Sequence, residues 1–305
     1  MAQASWSRAG VSGIGCVGAG AGAFLTTLAL AGMAIAGALI AHEAGHAGAL
    51  MQTITGREAA AGRSRIGQIW AGDPTLPDIQ VGIYGGGSET LDNAIALEQP
   101  NGTNLLLRNV GWGSRPRHMP PYHGFRGTWW SARLPSLGVM GDLTYIKAIA
   151  RKDRRVEQSG KRDGADVPAR EPLSVTFRRL EFTDGLNLLT INGVLRTAPL
   201  LDRIRPYFGL GVGLSIPHVE VRRANAATRT FEFQLAGVAF QLIAGIEWRL
   251  RPRDRFSAFS EFKLNYATVK ADLKGGGTLA TNLWTKQLVI GGSAHLRRPD
   301  LIALK

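Results

Sequence analysis

The sequence predicts an all-β chain, an eight-stranded antiparallel outer-membrane β-barrel behind an N-terminal signal segment. Long stretches alternate apolar with small or polar residues at period 2. They reach the roughly nine to eleven residues a tilted membrane strand needs, whereas strands of soluble proteins peak near five or six. The composition agrees: 39 glycines and 7 tryptophans with only 19% charged residues suit strands facing lipid on one side and a narrow polar interior on the other.

Residues 1–49 read as the export signal. Arg8 precedes an uncharged run from Val17 to Ala41 rich in Ala, Gly, Leu, Ile and Met. Ala36-Gly37-Ala38 and Ala47-Gly48-Ala49 offer the small residues a signal peptidase requires. The run is long enough to cross a bilayer, but its glycines weaken it as a stable helix. The single cysteine, Cys16, lies in this segment. The mature chain is therefore expected to have no thiol, which excludes disulfide frameworks, thiolate zinc sites and cysteine nucleophiles. His42-Glu43-Ala44-Gly45-His46 matches HExxH, the spacing that puts two zinc-binding histidines on one helix face with a glutamate base. A membrane metalloprotease needs further spans, and no second apolar run of about twenty residues follows. The match also falls on the cleavage zone and reads as coincidence. Residues 50–77, polar and alanine-rich, read as a linker.

The barrel is expected over residues 78–298, followed by a tail, 299–305. Its strands are expected at 78–89, 122–134, 137–150, 174–196, 204–221, 232–250, 255–272 and 279–297. In the fifth, Phe208, Leu210, Val212, Leu214 and Ile216 alternate with Gly209, Gly211, Gly213 and Ser215. In the sixth, Val238, Phe240, Leu242, Ala244, Ile246 and Trp248 oppose Gly237, Gln241, Gly245 and Glu247. An apolar stripe ending in an aromatic fits a lipid face with an interfacial girdle. Short turns such as Pro135-Ser136 and Pro252-Arg253-Asp254 alternate with longer loops near 90–121, 151–173, 222–231 and 273–278, the bacterial pattern of short periplasmic turns and long outer loops. A closed barrel of this size has no free edge, so a monomer is expected, inserted by the barrel-assembly machinery.

Formal net charge is +13. Nucleic acid is not the expected partner, because neither a basic helix nor an aromatic RNA-binding signature is present. The densest basic run, Arg151-Lys152-Asp153-Arg154-Arg155 with Lys161 and Arg162, falls in an expected outer loop. It reads either as a solvated loop or as a contact for a phosphate-rich membrane surface. Glu261, Lys263, Asp142, Arg126 and Glu247 occupy lumen parities and read as a charge network filling the barrel.

At the outer rim the chain gathers His123, Glu181, Asp184, His218, Glu220 and Tyr266. An unbroken register would point His218 and Glu220 at lipid. Pro217 cannot donate to the ladder, so a bulge there is expected to turn His218 and Glu220 inward. Imidazole and carboxylate at a confined rim make a candidate first-row metal site, with His123 and Glu181 or Asp184 completing it. The alternative leaves both residues above the bilayer in solvent.

Met119-Pro-Pro-Tyr-His-Gly-Phe-Arg-Gly-Thr-Trp-Trp, Leu180-Glu-Phe-Thr-Asp-Gly-Leu-Asn-Leu-Leu-Thr-Ile-Asn, Arg205-Pro-Tyr-Phe-Gly-Leu-Gly-Val-Gly-Leu-Ser-Ile-Pro-His-Val-Glu-Val and Ala271-Asp-Leu-Lys-Gly-Gly-Gly-Thr-Leu-Ala-Thr-Asn resemble the rhizobial lipid A oxidase family over most of the chain beyond Asp78. The resemblance implies an outer-membrane enzyme that uses O2 to convert the proximal glucosamine of lipid A to an aminogluconate unit, with a divalent metal as cofactor. No residue roles carry over from the family by name; the rim topology gives His218, Glu220, Glu181 and Tyr266 as the candidate catalytic residues. His218, Glu220, His123 and Asp184 are the candidate metal ligands, and Arg126, Arg154, Arg155, Lys161 and Arg162 the candidate contacts to lipopolysaccharide. The main alternative is a non-enzymatic OmpA- or OmpX-like small barrel with a structural or adhesion role.

Overall fold

The computed structural model describes residues 77–113, 122–198, 203–249 and 255–296. The signal segment, the His42–His46 motif, the linker, the turn at 252–254 and the C-terminal tail lie outside the described residues. In chain order the strands are β1 (Asp78–Thr90), β2 (Asn93–Gln99), β3 (Thr103–Val110), β4 (Trp112–Gly113), β5 (His123–Trp130) and β6 (Leu137–Ala150). The short β7 (Arg155–Arg162), β8 (Ala165–Asp166) and β9 (Arg170–Pro172) follow. Then come β10 (Phe177–Arg196), β11 (Ile204–Arg223), β12 (Arg229–Phe233), β13 (Gly237–Trp248), β14 (Phe256–Asp272) and β15 (Thr278–Leu296).

Eight of these strands close a ring. β1, β5, β6, β10, β11, β13, β14 and β15 pair in that order, and β1 pairs with β15 to complete it, every pairing antiparallel. They are the eight expected strands. Closure removes the sheet edges and pairs the strands with one another around the ring, the condition for strands to cross a bilayer. At one end lie Asp78 and Leu296 with Trp130 and Leu137, Arg196 and Ile204, and Trp248 and Phe256, each pair separated by only a few residues of sequence, which marks the periplasmic end.

The opposite end differs from the expectation of long outer loops near 90–121, 151–173 and 222–231. Among the described residues these stretches contain strands β2, β3, β4, β7, β8 and β9 and the start of β12. β2 docks on the upper part of β15, with Leu279 opposite Leu97, then β3 pairs with β2 and β7 with β3. β12 pairs with the upper part of β11. The local signals are present: Asn101-Gly102 forms the β2–β3 turn with Gly102 at φ +83°, and Ile95, Leu97, Leu105 and Leu107 alternate into a fully buried face. With Phe177, Leu180, Phe182, Val219 and Val221 they form an apolar core that fills the outer mouth.

Below that core the lumen is polar and filled. Lys263 Nζ donates to both oxygens of Asp142 at 2.9 Å, and Tyr84, Thr144 and Gln241 donate to the same carboxylate. Arg126 pairs with Glu261, whose Oε1 also accepts from Tyr207 at 2.6 Å. Nearer the periplasm His295 sits 2.9 Å from Asp78 and 3.1 Å from Glu247. The charge network expected from parity is therefore in place.

The outer surface carries the complementary pattern. Val81, Ile83, Leu189, Ile191, Phe208, Val212, Leu242, Leu288 and Ile290 are all exposed. A continuous apolar belt around a closed barrel with a polar interior is stable only against lipid. The protein is thus an outer-membrane barrel, crossing by strands; among the described residues no helix is long and apolar enough to cross a membrane.

Candidate functional site on the outer rim

Strand β11 keeps one register from Phe208 to Arg223. Ser215, Pro217, Val219, Val221 and Arg223 are buried on the inward side, with Val219 and Val221 part of the core. His218 and Glu220 therefore stand on the outward face, opposite Phe233 and Phe231 of β12. The expected flip at Pro217 does not occur. The irregularities fall on its neighbours. β10 inserts two extra residues between Glu181 and Leu186 against β11. On the other side the pairing slips by one between Phe233 opposite His218 and Gly237 opposite Ser215. Pro217 sits where the partner changes from β13 to β12, and its carbonyl accepts from Gln234 N at 3.1 Å. Bulges on the flanking strands absorb the bend, so β11 has no need of one.

The outward face of β10, β11 and β12 is consequently a ladder of polar rungs above the belt. The lowest holds His218 and Phe233, the next Glu181, Glu220 and Phe231, and the highest Arg179, Arg222 and Arg229. At about 3.4 Å per residue on a strand tilted by about 40°, the arginine rung stands about 15 Å above Ile216, at headgroup level.

His218 is buried between Phe231 and Phe233, with ring centroids at 4.4 and 4.6 Å, and its Nδ1 lies 3.2 Å from Asp184 Oδ2. Asp184 belongs to the β10 insertion, which brings a half-exposed carboxylate over the imidazole. Glu220 accepts from Arg229 and lies 2.9 Å from Arg179 Nε, and Arg179 also donates to Glu181. That hydrogen bond to Glu181 raises the Arg179 pKa, opposed by partial burial and helped by both carboxylates. Beside them on β6, above the belt, burial lowers the Lys147 pKa while Asp184 and Glu181 oppose it.

Of the sequence-predicted residues, the structure brings together His218 with Asp184 and Glu181 with Glu220. His123 instead stacks on Tyr145 of β6 at 4.7 Å. Tyr266 is opposite Phe240 on β13, which is opposite Val212 on β11. It packs on Trp284 at 5.0 Å, so it is a girdle residue within the belt and stands apart from His218. Arg126 is a correction: buried in the lumen against Glu261, it cannot reach a lipid phosphate. Arg154 pairs with Asp92 and Arg162 with Glu171, both at 2.6 Å, while Arg155 and Lys161 are exposed on β7. Sequence reading missed Arg178, Arg179, Arg222 and Arg229. The doublets Arg178-Arg179 and Arg222-Arg223 at the tops of two long strands were the available signal, but only strand pairing reveals that Arg179 and Arg222 share a face.

The resemblance implies a divalent metal, and the donor set can be tested against one. Among the described residues no group of three or more His, Cys, Asp or Glu side chains is placed to hold a metal ion. His218 and Asp184 are only two donors, and Glu220 is committed through its Oε1 to Arg179 and Arg229. The residues as arranged do not fit a metal centre.

The class of protein is therefore a small outer-membrane β-barrel with a filled lumen and a polar site on its outward rim. No protein-family model matches the chain, and no curated protein does. Among solved structures it is similar to Neisserial surface protein A, with a TM-score of 0.35 and 10% identity over 72% of this chain and 97% of that one. It is also similar to the outer membrane protein AlkL, with a TM-score of 0.39 and 13% identity over 73% and 92% of the two chains. The outer membrane protein OprG from Pseudomonas aeruginosa gives a TM-score of 0.34 and 13% identity over 73% and 97%. What defines the class here is the closed ring, the filled lumen and the apolar belt.

Proposed function

We propose that this protein is a non-enzymatic outer-membrane barrel that engages the headgroup of lipid A at its outward rim. The observation that carries the reading is the direction of the polar rungs: they stand on the outward side just above the belt and not in the lumen, with half-exposed Arg179 and Arg229 over the buried Glu181, Glu220 and His218. A filled lumen favours this over transport. A basic rim and an anionic amphiphile are complementary in charge and in height. The test is the lipopolysaccharide retained by the purified barrel in neutral detergent. Loss of that lipid on Glu220→Arg with Arg229→Glu, against retention by wild type, is expected; equal retention refutes the reading.

Lipid A oxidation is the second reading. It is favoured by the His218–Asp184 contact at 3.2 Å on the same face and by the family resemblance. An imidazole held by a carboxylate is a plausible base for a sugar hydroxyl, while the electrons must pass to O2 through a group that the described residues do not supply. Mass spectrometry of lipid A from cells with and without the protein decides it. An added oxygen that disappears with His218→Ala supports oxidation, and identical lipid A in both cells sinks it.

A further inference from the structure

The top rung juxtaposes three arginines on three adjacent strands. Arg179 is the ladder partner of Arg222, and Arg222 of Arg229. Like charges facing one another across a ladder repel, so such a row requires compensating anions. The rung below supplies two. Arg179 contacts both Glu181 and Glu220, and Arg229 contacts Glu220. Arg222 forms no ion pair with any described acid, and its Nε is buried without a hydrogen bond among the described residues. Arg178 likewise has no acidic partner among the described residues, and Lys152 closes the group by donating to the Arg178 carbonyl at 2.8 Å. These five cations and Glu181 line a cavity of about 420 Å³. Positive charge is in surplus there even after both glutamates are counted.

We propose that this cavity binds the phosphate group of an outer-leaflet lipid, with Arg178, Arg222 and Lys152 supplying the charge that the glutamates leave free. Guanidinium forks match phosphate oxygens in pairs. A lipid is favoured over a soluble phosphate because an apolar strip leads down from the arginines. Phe231, Phe233, Leu235 and Val238 are 46, 55, 69 and 48% exposed and run from β12 into the belt. That strip gives an acyl chain a path from the cavity to the bilayer, and a soluble anion has no use for it. The site deepens the lipid A reading and rests on it for the identity of the lipid.

The experiment measures binding to the intact barrel in nanodiscs of neutral phosphatidylcholine, with three probes: bis-phosphorylated lipid A, phosphatidic acid and inorganic phosphate. Arg178→Gln with Arg222→Gln is the test variant, since neither side chain holds a carboxylate that its loss would orphan. Removing two charge-assisted contacts is expected to weaken both lipids by about a hundredfold, roughly tenfold for each arginine. Phe231→Ser with Phe233→Ser is expected to weaken the lipids and leave inorganic phosphate unchanged. Should the double arginine variant lose the heat-shifted gel migration of a folded barrel, Arg222→Lys, which keeps the charge and removes the fork, is expected to weaken lipid binding by about threefold, less than loss of the whole contact. Lipid A bound equally by wild type and the arginine variant overturns the phosphate site and leaves the lipid A reading standing. Phosphatidic acid bound and lost in the variant, with lipid A never bound, supports the site and fails the lipid A reading. Inorganic phosphate bound as tightly as phosphatidic acid overturns the assignment to a lipid, and no binding of any probe overturns the site.

Discussion

Replacing Lys263 with Met removes the cation at the centre of the lumen while keeping much of its volume. Both partners of the Lys263–Asp142 pair are fully buried, and Nζ stands 2.9 Å from the carboxylate. At an effective dielectric of about 20, two unit charges at that distance attract by about 6 kcal/mol before desolvation is counted. Removing one member of a buried pair leaves the other charge uncompensated, at about 3–5 kcal/mol. Here the low end is expected. Tyr84 at 2.8 Å, Thr144 at 2.7 Å and Gln241 at 3.0 Å continue to donate to Asp142. The expected loss is therefore about 3 kcal/mol, read from equilibrium urea unfolding in liposomes by tryptophan fluorescence. Adding Asp142→Asn should return at least about 1 kcal/mol, because it removes the stranded charge and keeps the shape. A loss under about 1 kcal/mol for Lys263→Met refutes the reasoning. So does a double variant no more stable than the single one.

Val212 points outward at mid-belt on β11. Val212→Arg should cost about 2–4 kcal/mol in the same assay, against about 0–1 for Leu235→Arg above the belt, and equal values would contradict a lipid-facing Val212. A Cβ on Gly124 would come within 2.1 Å of the Tyr84 ring. Gly124→Val should therefore displace Tyr84 from Asp142 and destabilise by about 3 kcal/mol, whereas Gly127→Val, with open space at that position, should change stability by less than about 1 kcal/mol. The expected export signal predicts that N-terminal sequencing of the mature protein begins beyond His46; a start upstream of it would restore the HExxH segment to the working chain.

The barrel was legible because the period of a strand is written directly in the order of residues. Phe208, Leu210, Val212 and Leu214 against Gly209, Gly211 and Gly213 state which face meets lipid, and all eight ring strands follow from such runs. The lumen pair was legible for the same reason, since Asp142 and Lys263 fall on inward parities. The folded outer extension was less so: β2 and β3 are only 7 and 8 residues long, so the alternation of Leu105 and Leu107 beside the Asn101-Gly102 turn is too brief to stand out in a charged, loop-like stretch.

The outward site depended on what alternation cannot contain. Parity along β11 is a property of one strand, whereas the side on which His218 and Glu220 stand depends on where the bend at Pro217 is absorbed. The structure puts the extra residues in β10 and between β12 and β13, so β11 stays regular and its polar residues face out. The Arg179, Arg222 and Arg229 rung likewise exists only through inter-strand register, because residues far apart in the chain become neighbours by pairing. The sequence alone determined the barrel, its two faces and its filled lumen. Tertiary pairing decided which charges meet, because it alone makes neighbours of residues far apart in the chain.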